Sequence, residues 1–175
     1  FQNQNPGNLA ASEDRVFHFL GDECFALDAA TGETLAVHRL PEDADQGQHE
    51  WGYVAVQDGV LFGTATIREE IEERNRRRGR ATEDATDSIF AIDLETGEHR
   101  WTYRGKSISH HTIAIGPERV YFIDSSITSA QRQEILNQDK SHLVNLTGKE
   151  RERAEERLKN ADVRMATAID IDTGE

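Results

Sequence analysis

Ala26-Leu27-Asp28-Ala29-Ala30-Thr31-Gly32-Glu33 returns as Ala91-Ile92-Asp93-Leu94-Glu95-Thr96-Gly97-Glu98, and again as Ala168-Ile169-Asp170-Ile171-Asp172-Thr173-Gly174-Glu175. Ala, Asp, Thr, Gly and Glu hold the same places in every copy, and the second place is always Leu or Ile. A phrase repeated in this way marks a protein made by stacking one supersecondary unit. Each copy ends a short alternation: Phe25/Leu27, Phe90/Ile92 and Thr167/Ile169. Residues two apart in a strand share a face, so each pair lies together. Ala26, Ala91 and Ala168 fall on the opposite face, where a neighbouring element can come close. Asp28, Asp93 and Asp170 are placed to accept hydrogen bonds from backbone N–H groups of the turn that follows. Thr31, Thr96 and Thr173 complete that turn with Gly32, Gly97 and Gly174, which supply positive φ at little steric cost. A second strand follows at 34–40 and at 99–103. The phrase is a hairpin signal that builds fold rather than chemistry. Its third copy runs into the last residue, so the chain is expected to be a piece of a larger protein.

Working outward from each copy gives one strand order. The first unit, 8–40, has strands at 8–12, 16–20, 24–29 and 34–40. The second, 52–104, has strands at 53–57, 60–65, 88–94 and 99–103. The third, 112–175, has strands at 112–115, 120–124 and 165–171, and its fourth strand is missing. Short strands separated by Asp, Gly and Pro turns such as Asp58-Gly59 and Gly116-Pro117 are an all-β signature. The phrase glycines lie 65 and 77 residues apart, whereas a bare four-stranded blade takes about 40–45. In both longer units the surplus falls between the second and third strands, at 66–87 and at 125–164.

The first insert carries Glu69, Glu70, Glu72 and Glu73 ahead of Arg74, Arg76, Arg77, Arg78 and Arg80. Acid before base suits a short exposed helix. Acids and bases balance between Arg68 and Asp84, so the segment reads as a solvated helix and not as a phosphate-binding patch. The second insert predicts a helix at 130–138. A second helix, opened by a capping box of Thr147 and Glu150, runs through Lys159 with little apolar surface. Asn145-Leu146-Thr147 fits a glycosylation sequon.

The chain has 175 residues, enough for a sizeable core, and a formal net charge of −13. That charge argues against a nucleic-acid partner or an anionic-membrane binder. No apolar run approaches the length of a membrane span. Cys24 is the single cysteine; no disulfide can form within the chain, and a small buried residue is the expected role.

The Ala-Leu-Asp-x-x-Thr-Gly-Glu phrase closely resembles the repeat of quinoprotein-like β-propellers, which include the PQQ-dependent alcohol dehydrogenases and the outer-membrane assembly lipoproteins that share their blade. The family phrase is followed by a Trp that docks between blades. Trp101 stands at that offset in the second unit, and Ala36 replaces it in the first. The resemblance implies a partial β-propeller of four-stranded antiparallel blades with two charged, partly helical inserts. It implies the remaining blades of the same chain, and possible protein ligands, as partners, and a periplasmic or other extracytoplasmic location. It also implies that the second-to-third connections and the inter-blade links open on one face, where the family holds its ligand pocket.

That face brings forward His49, Glu50, Trp51, Ser109, His110 and His111 as ligand-face candidates. Adjacent histidines on a strand point to opposite faces, so His110 and His111 reach one site only across a bulge. Histidines without fixed ligand spacing are a weak metal pattern, and Trp51 reads as inter-blade packing. PQQ and calcium enter only through the resemblance: the family's cation is held by Glu, Asn and Asp, and no such set matches residue by residue here. No catalytic residue is assigned. The leading expectation is a ligand- or protein-binding scaffold; the alternative is part of a PQQ-dependent alcohol or sugar dehydrogenase whose active-site residues lie elsewhere.

Overall fold

The computed structural model describes residues 9–44, 49–67, 85–140, 152, 156–157 and 159–175. The first sheet contains β1 (Leu9–Ala11), β2 (Arg15–Leu20), β3 (Glu23–Asp28) and β4 (Thr34–Arg39) in sequential antiparallel order. The second repeats that order with β5 (His49–Gln57), β6 (Val60–Ile67), β7 (Ala85–Asp93) and β8 (His99–Ser109). A 3-10 turn, His110–Thr112, leads into β9 (Ala114–Ile115), β10 (Arg119–Ser125), helix α1 (Ser129–Lys140) and β11 (Arg164–Asp170). The third sheet is ordered β9, β10, β11. The protein is therefore all-β, made of antiparallel propeller-type blades, with α-helix among the described residues confined to the connection between β10 and β11.

The three phrases form one turn. Asp28 Oδ1 accepts from the backbone N–H of Ala30 (3.0 Å) and Thr31 (2.7 Å). Asp93 Oδ1 takes Glu95 and Thr96 at 2.9 Å each, and Asp170 Oδ1 takes Asp172 at 3.0 Å and Thr173 at 3.1 Å. Each Thr hydroxyl accepts the following Glu N–H, at 3.3, 3.2 and 3.4 Å. Each Gly donates its N–H back to the Asp carbonyl with φ of +76°, +74° and +74°. The Asp and Thr side chains thus satisfy donors that a tight turn would leave unpaired. The Glu of each phrase takes part through its own backbone, closing the hairpin onto the Asp.

Two apolar layers lie between the three sheets. In the first, Phe17, Phe19, Cys24 and Ala26 of one sheet meet Trp51, Val54, Leu61, Phe90 and Ile92 of the next. Trp51 stacks near Phe19 and meets Phe90 edge-on, with centroids 4.9 Å apart. In the second, Phe62, Ile89, Ala91 and Trp101 meet Val120, Phe122 and Ile169. The period of two therefore sorts each phrase: the Ala face looks toward the next sheet, and the Leu or Ile face toward the previous one. Burial follows neighbours. Phe90 and Ile92 are buried against the first sheet, while their counterparts Phe25 and Leu27 are only half-buried. Ala26 and Ala91 are buried and Ala168 is exposed. Leu20 and Val37 lie on the outer face of the first sheet at 72 % and 45 % exposure.

Several strands run further than the sequence pattern indicates. β5 begins at His49 and β8 continues to Ser109, so Trp51 and residues 104–109 lie in sheet and not in links. β6 and β7 likewise extend to Ile67 and back to Ala85, within the expected insert. Bulges between Trp51 and Tyr53 and between Thr86 and Ser88 let the pairing resume past a local irregularity. Helix α1 occupies the region of the expected helix at 130–138. The expected helix among Glu69–Arg80 and the Thr147 capping box lie outside the described residues. No helix among the described residues is long and apolar enough to cross a membrane.

Candidate functional site: the insert-side ends of the second and third sheets

The connections that leave Ile67 and Ser125 and re-enter at Ala85 and Arg164 all stand at one end of the sheets. There β6, β7, the end of β8 and the start of α1 surround a cleft of about 240 Å³. His49, Thr66, Asp87, Lys106 and Ser129 contribute polar groups to its walls. Asp87 Oδ1 lies 3.7 Å from the guanidinium of Arg104.

The candidate residues separate on inspection of their partners. His49 is buried and lines this cleft. Glu50 is half-buried opposite Thr66. Trp51 is buried in the first junction: its backbone N–H donates to the Gly21 carbonyl at 2.8 Å and its indole N–H to the Asp22 carbonyl at 3.2 Å. Ser109 ends β8, and its carbonyl accepts from the Thr112 hydroxyl at 2.8 Å. His110 and His111 are not on a strand but in the 3-10 turn, and that turn buries His110 while leaving His111 exposed. His110 Nε2 pairs with Thr64 Oγ1 at 3.0 Å. A Cβ on Gly52 would come within 2.9 Å of this imidazole, so the close approach requires glycine there.

The strongest polar feature is a residue the sequence reading passed over. Asp124 is buried at the end of β10, and its carboxylate accepts backbone N–H groups from Lys106 (3.1 and 3.2 Å), Ser107 (2.8 Å) and its neighbour Ser125 (2.7 Å). It ties the third sheet to the end of β8. The alternation Val120, Phe122, Asp124 places a carboxylate on an inward apolar face, and that was the available signal. Lys106 adds a bond from its ammonium to the Ser126 carbonyl at 2.7 Å. Asp162 accepts from Ser125 and Arg132, which anchors α1 to the approach of β11. Thr86 bonds the carbonyls of Ala65 and Ser88 across the β7 bulge.

Among the described residues no group of three His, Cys, Asp or Glu side chains is arranged to hold a metal ion. The carboxylate best placed by burial, Asp124, is occupied by backbone donors. What the cleft offers is hydrogen bonding: a carboxylate, a lysine, hydroxyls and an imidazole at a sheet end.

No protein-family model matches the chain, and no curated protein matches it. Among solved structures it is similar to the quinohemoprotein alcohol dehydrogenase of Comamonas testosteroni, at 14 % identity and a TM-score of 0.56, over 95 % of this chain and 26 % of that one. It also matches a europium-containing methanol dehydrogenase (19 % identity, TM-score 0.39, 56 % of this chain and 15 % of that one). A third match is BamB from Moraxella catarrhalis (19 % identity, TM-score 0.29, 69 % and 44 %). The chain spans less than half the length of each. Only the first of the three is near enough in shape to bear on the fold, and it shows the fold alone. The fold so defined is of the β-propeller type.

Proposed function

We propose that this chain is a propeller region that works as a binding scaffold for a ligand or a protein, with its recognition groups at the insert-side ends of the sheets. The observation that supports this most directly is how the polar residues there are used. His110 is committed to Thr64 in a buried contact, Trp51 to the Asp22 carbonyl, and Asp124 to three backbone donors. Groups engaged in holding blade to blade make a rigid rim, and side chains such as Asp87 and His111 decorate it. Further blades of the same kind and protein ligands are the proposed partners. A net charge of −13 speaks against nucleic acid. A periplasmic or other extracytoplasmic location is part of the same proposal and rests on the repeat phrase.

The competing reading is a portion of a PQQ-dependent dehydrogenase. The fold likeness supports the blade common to both and does not choose between them. The deciding experiment adds PQQ and Ca²⁺ to the purified protein and follows quinone absorbance together with alcohol-dependent dye reduction. A scaffold gives no saturable absorbance change and no turnover. Stoichiometric quinone binding with dye reduction would overturn the scaffold reading.

A further inference from the structure

Two buried groups outside the repeat phrase face each other in the first sheet. Cys24 of β3 and His38 of β4 are direct partners in the antiparallel ladder. Partners of this kind point to the same face, with Cβ atoms about 4.5–5.5 Å apart. Phe19, Cys24 and His38 make one row across three strands, and Phe17, Ala26 and Ala36 make the next. This is the face turned toward the second sheet. Cys24 is fully buried, and its thiol is in no disulfide. His38 is 8 % exposed, and its Nε2 is buried without a hydrogen-bond partner among the described residues. An unsatisfied nitrogen in such a row costs stability that an apolar side chain there would not. In the tautomer protonated at Nδ1, Nε2 presents a lone pair. A thiol and a ring nitrogen thus stand side by side on an otherwise apolar face.

We propose that Cys24 Sγ and His38 Nε2 form a two-coordinate site for a soft monovalent cation, Cu(I) or Ag(I). Donor number favours this choice. Zinc takes four ligands in a structural site, and among the described residues no third His, Cys, Asp or Glu joins the pair. Donor type favours it too, because thiolate ligands select Cu(I). The span fits: metal bonds of about 2.3 Å to sulfur and 2.0 Å to nitrogen set the donor atoms at most about 4.3 Å apart, within reach of ladder partners. Charge decides between valences. Binding sends the thiol proton to solvent and leaves a thiolate, with no electron transferred. A monovalent ion between a thiolate and a neutral imidazole is an uncharged unit, and burying it carries no ionic penalty. A divalent ion would leave a net positive charge, which the nearby charge of Arg15 at His38 also opposes. Access runs past His38, whose strand β4 is the edge of its sheet. A bare ion passes there where a bulky thiol reagent does not. Neither residue lines the insert-side cleft, and the site is independent of the scaffold reading.

The test titrates the purified chain anaerobically with Cu(I) against a chromophoric Cu(I) chelator, and separately with Zn(II). Backbone amide shifts of the isotopically labelled chain locate the ion, since both metals are diamagnetic. The expected result is saturable uptake of one Cu(I) by the folded chain, with shifts concentrated at residues 23–25 and 37–39, and no Zn(II) uptake there. Cys24→Ala should weaken Cu(I) binding by roughly a hundredfold or more, and His38→Leu by roughly tenfold or more. His38→Leu lies on an edge strand and removes an unsatisfied nitrogen, so it covers the case in which Cys24→Ala fails to fold. Met165→Leu removes the one methionine, the other soft donor of the chain, and should leave binding unchanged. No uptake of one equivalent would overturn the proposal. So would undiminished binding by His38→Leu, which reduces the site to a thiol, or Zn(II) held as tightly as Cu(I). Shifts located elsewhere, or a loss of binding in Met165→Leu, would mean an adventitious ion only and would overturn it as well.

Discussion

Replacing the three phrase glycines by alanine one at a time separates the cost of the turn from the cost of the junction. Gly32, Gly97 and Gly174 share φ within a few degrees, at +76°, +74° and +74°. Forcing an L side chain into the left-handed region costs roughly 1–2 kcal/mol at each. Their surroundings differ. An added Cβ meets nothing within 4 Å at Gly32 and Gly97, but at Gly174 it falls 2.7 Å from Trp101 Cδ2 and Cε3. The ring must move, and it is 6 % exposed and held by its bond to Ile171. Overpacking of that kind adds about 1–3 kcal/mol. Gly174→Ala should therefore cost about 2–5 kcal/mol, and Gly32→Ala and Gly97→Ala about 1–2 each.

Urea unfolding followed by far-ultraviolet circular dichroism reads the difference. With a slope of about 2 kcal/mol per molar, the surplus at Gly174 appears as a midpoint lower by roughly 0.5–1.5 M. A double-mutant cycle locates its origin. In a Trp101→Ala background the Gly174→Ala penalty should fall to that of Gly97→Ala, because the atoms it struck are gone. The reasoning is refuted if Gly174→Ala and Gly97→Ala agree within about 0.5 kcal/mol, or if the surplus survives removal of the indole.

Asp124→Ala removes the acceptor that the N–H groups of Lys106, Ser107 and Ser125 share; it should lower stability by about 2–4 kcal/mol in urea unfolding, since buried donors lose their partner. Acid should weaken the fold in two windows. Burial, and then the charge of Arg15, hold the His38 imidazole below its ordinary range. The unfolded chain therefore takes up that proton first, and stability contributed by neutral His38 declines as pH falls below about 6.5; His38→Leu should remove this upper window from a stability-against-pH curve. The phrase carboxylates are lowered, Asp93 to about 2 by its bond with Arg100 and then by the turn N–H groups, and Asp28 and Asp170 by turn N–H groups. Their contribution is complete above the ordinary carboxylate range and is lost as pH falls through the lowered values. Cys24 is fully buried, and burial pushes its thiol up to about 12; a thiol reagent should label it only at the rate of unfolding, and rapid labelling of the native chain would contradict the packing.

What the sequence made legible was local. Asp, Thr and Gly at fixed spacing define a turn whose bonds all close within six residues, so no distant partner is needed to foresee it. Alternation sorted the faces of each strand in the same way. The strand ends were harder. β5 begins at His49 and β8 runs on to Ser109 because bulges at Trp51/Tyr53 and Thr86/Ser88 restore pairing, and a bulge depends on the partner strand and not on its own sequence. His110 and His111 were read as strand neighbours with opposite directions. The 3-10 turn instead buries His110 against Thr64 and Gly52, two residues more than forty positions away in sequence. Asp124 was legible in principle as a carboxylate in an apolar alternation, but two of its three donors come from the preceding sheet.

The departure from the repeat says more about this chain than the repeat itself. Identical residues at Asp, Thr and Gly produce three equal turns, and equal turns cannot distinguish one junction from another. Position 36 does. It shares the register of Trp101, faces the same way and follows the same phrase, yet holds no ring. The first junction still has a full apolar layer, in which Trp51 comes from the opposite sheet and packs between Phe19 and Phe90. Its inner layer therefore does not require an indole at 36, and the loss is confined to the outer edge, beside Gly97. A stack that can be held from either sheet is free to leave one edge open.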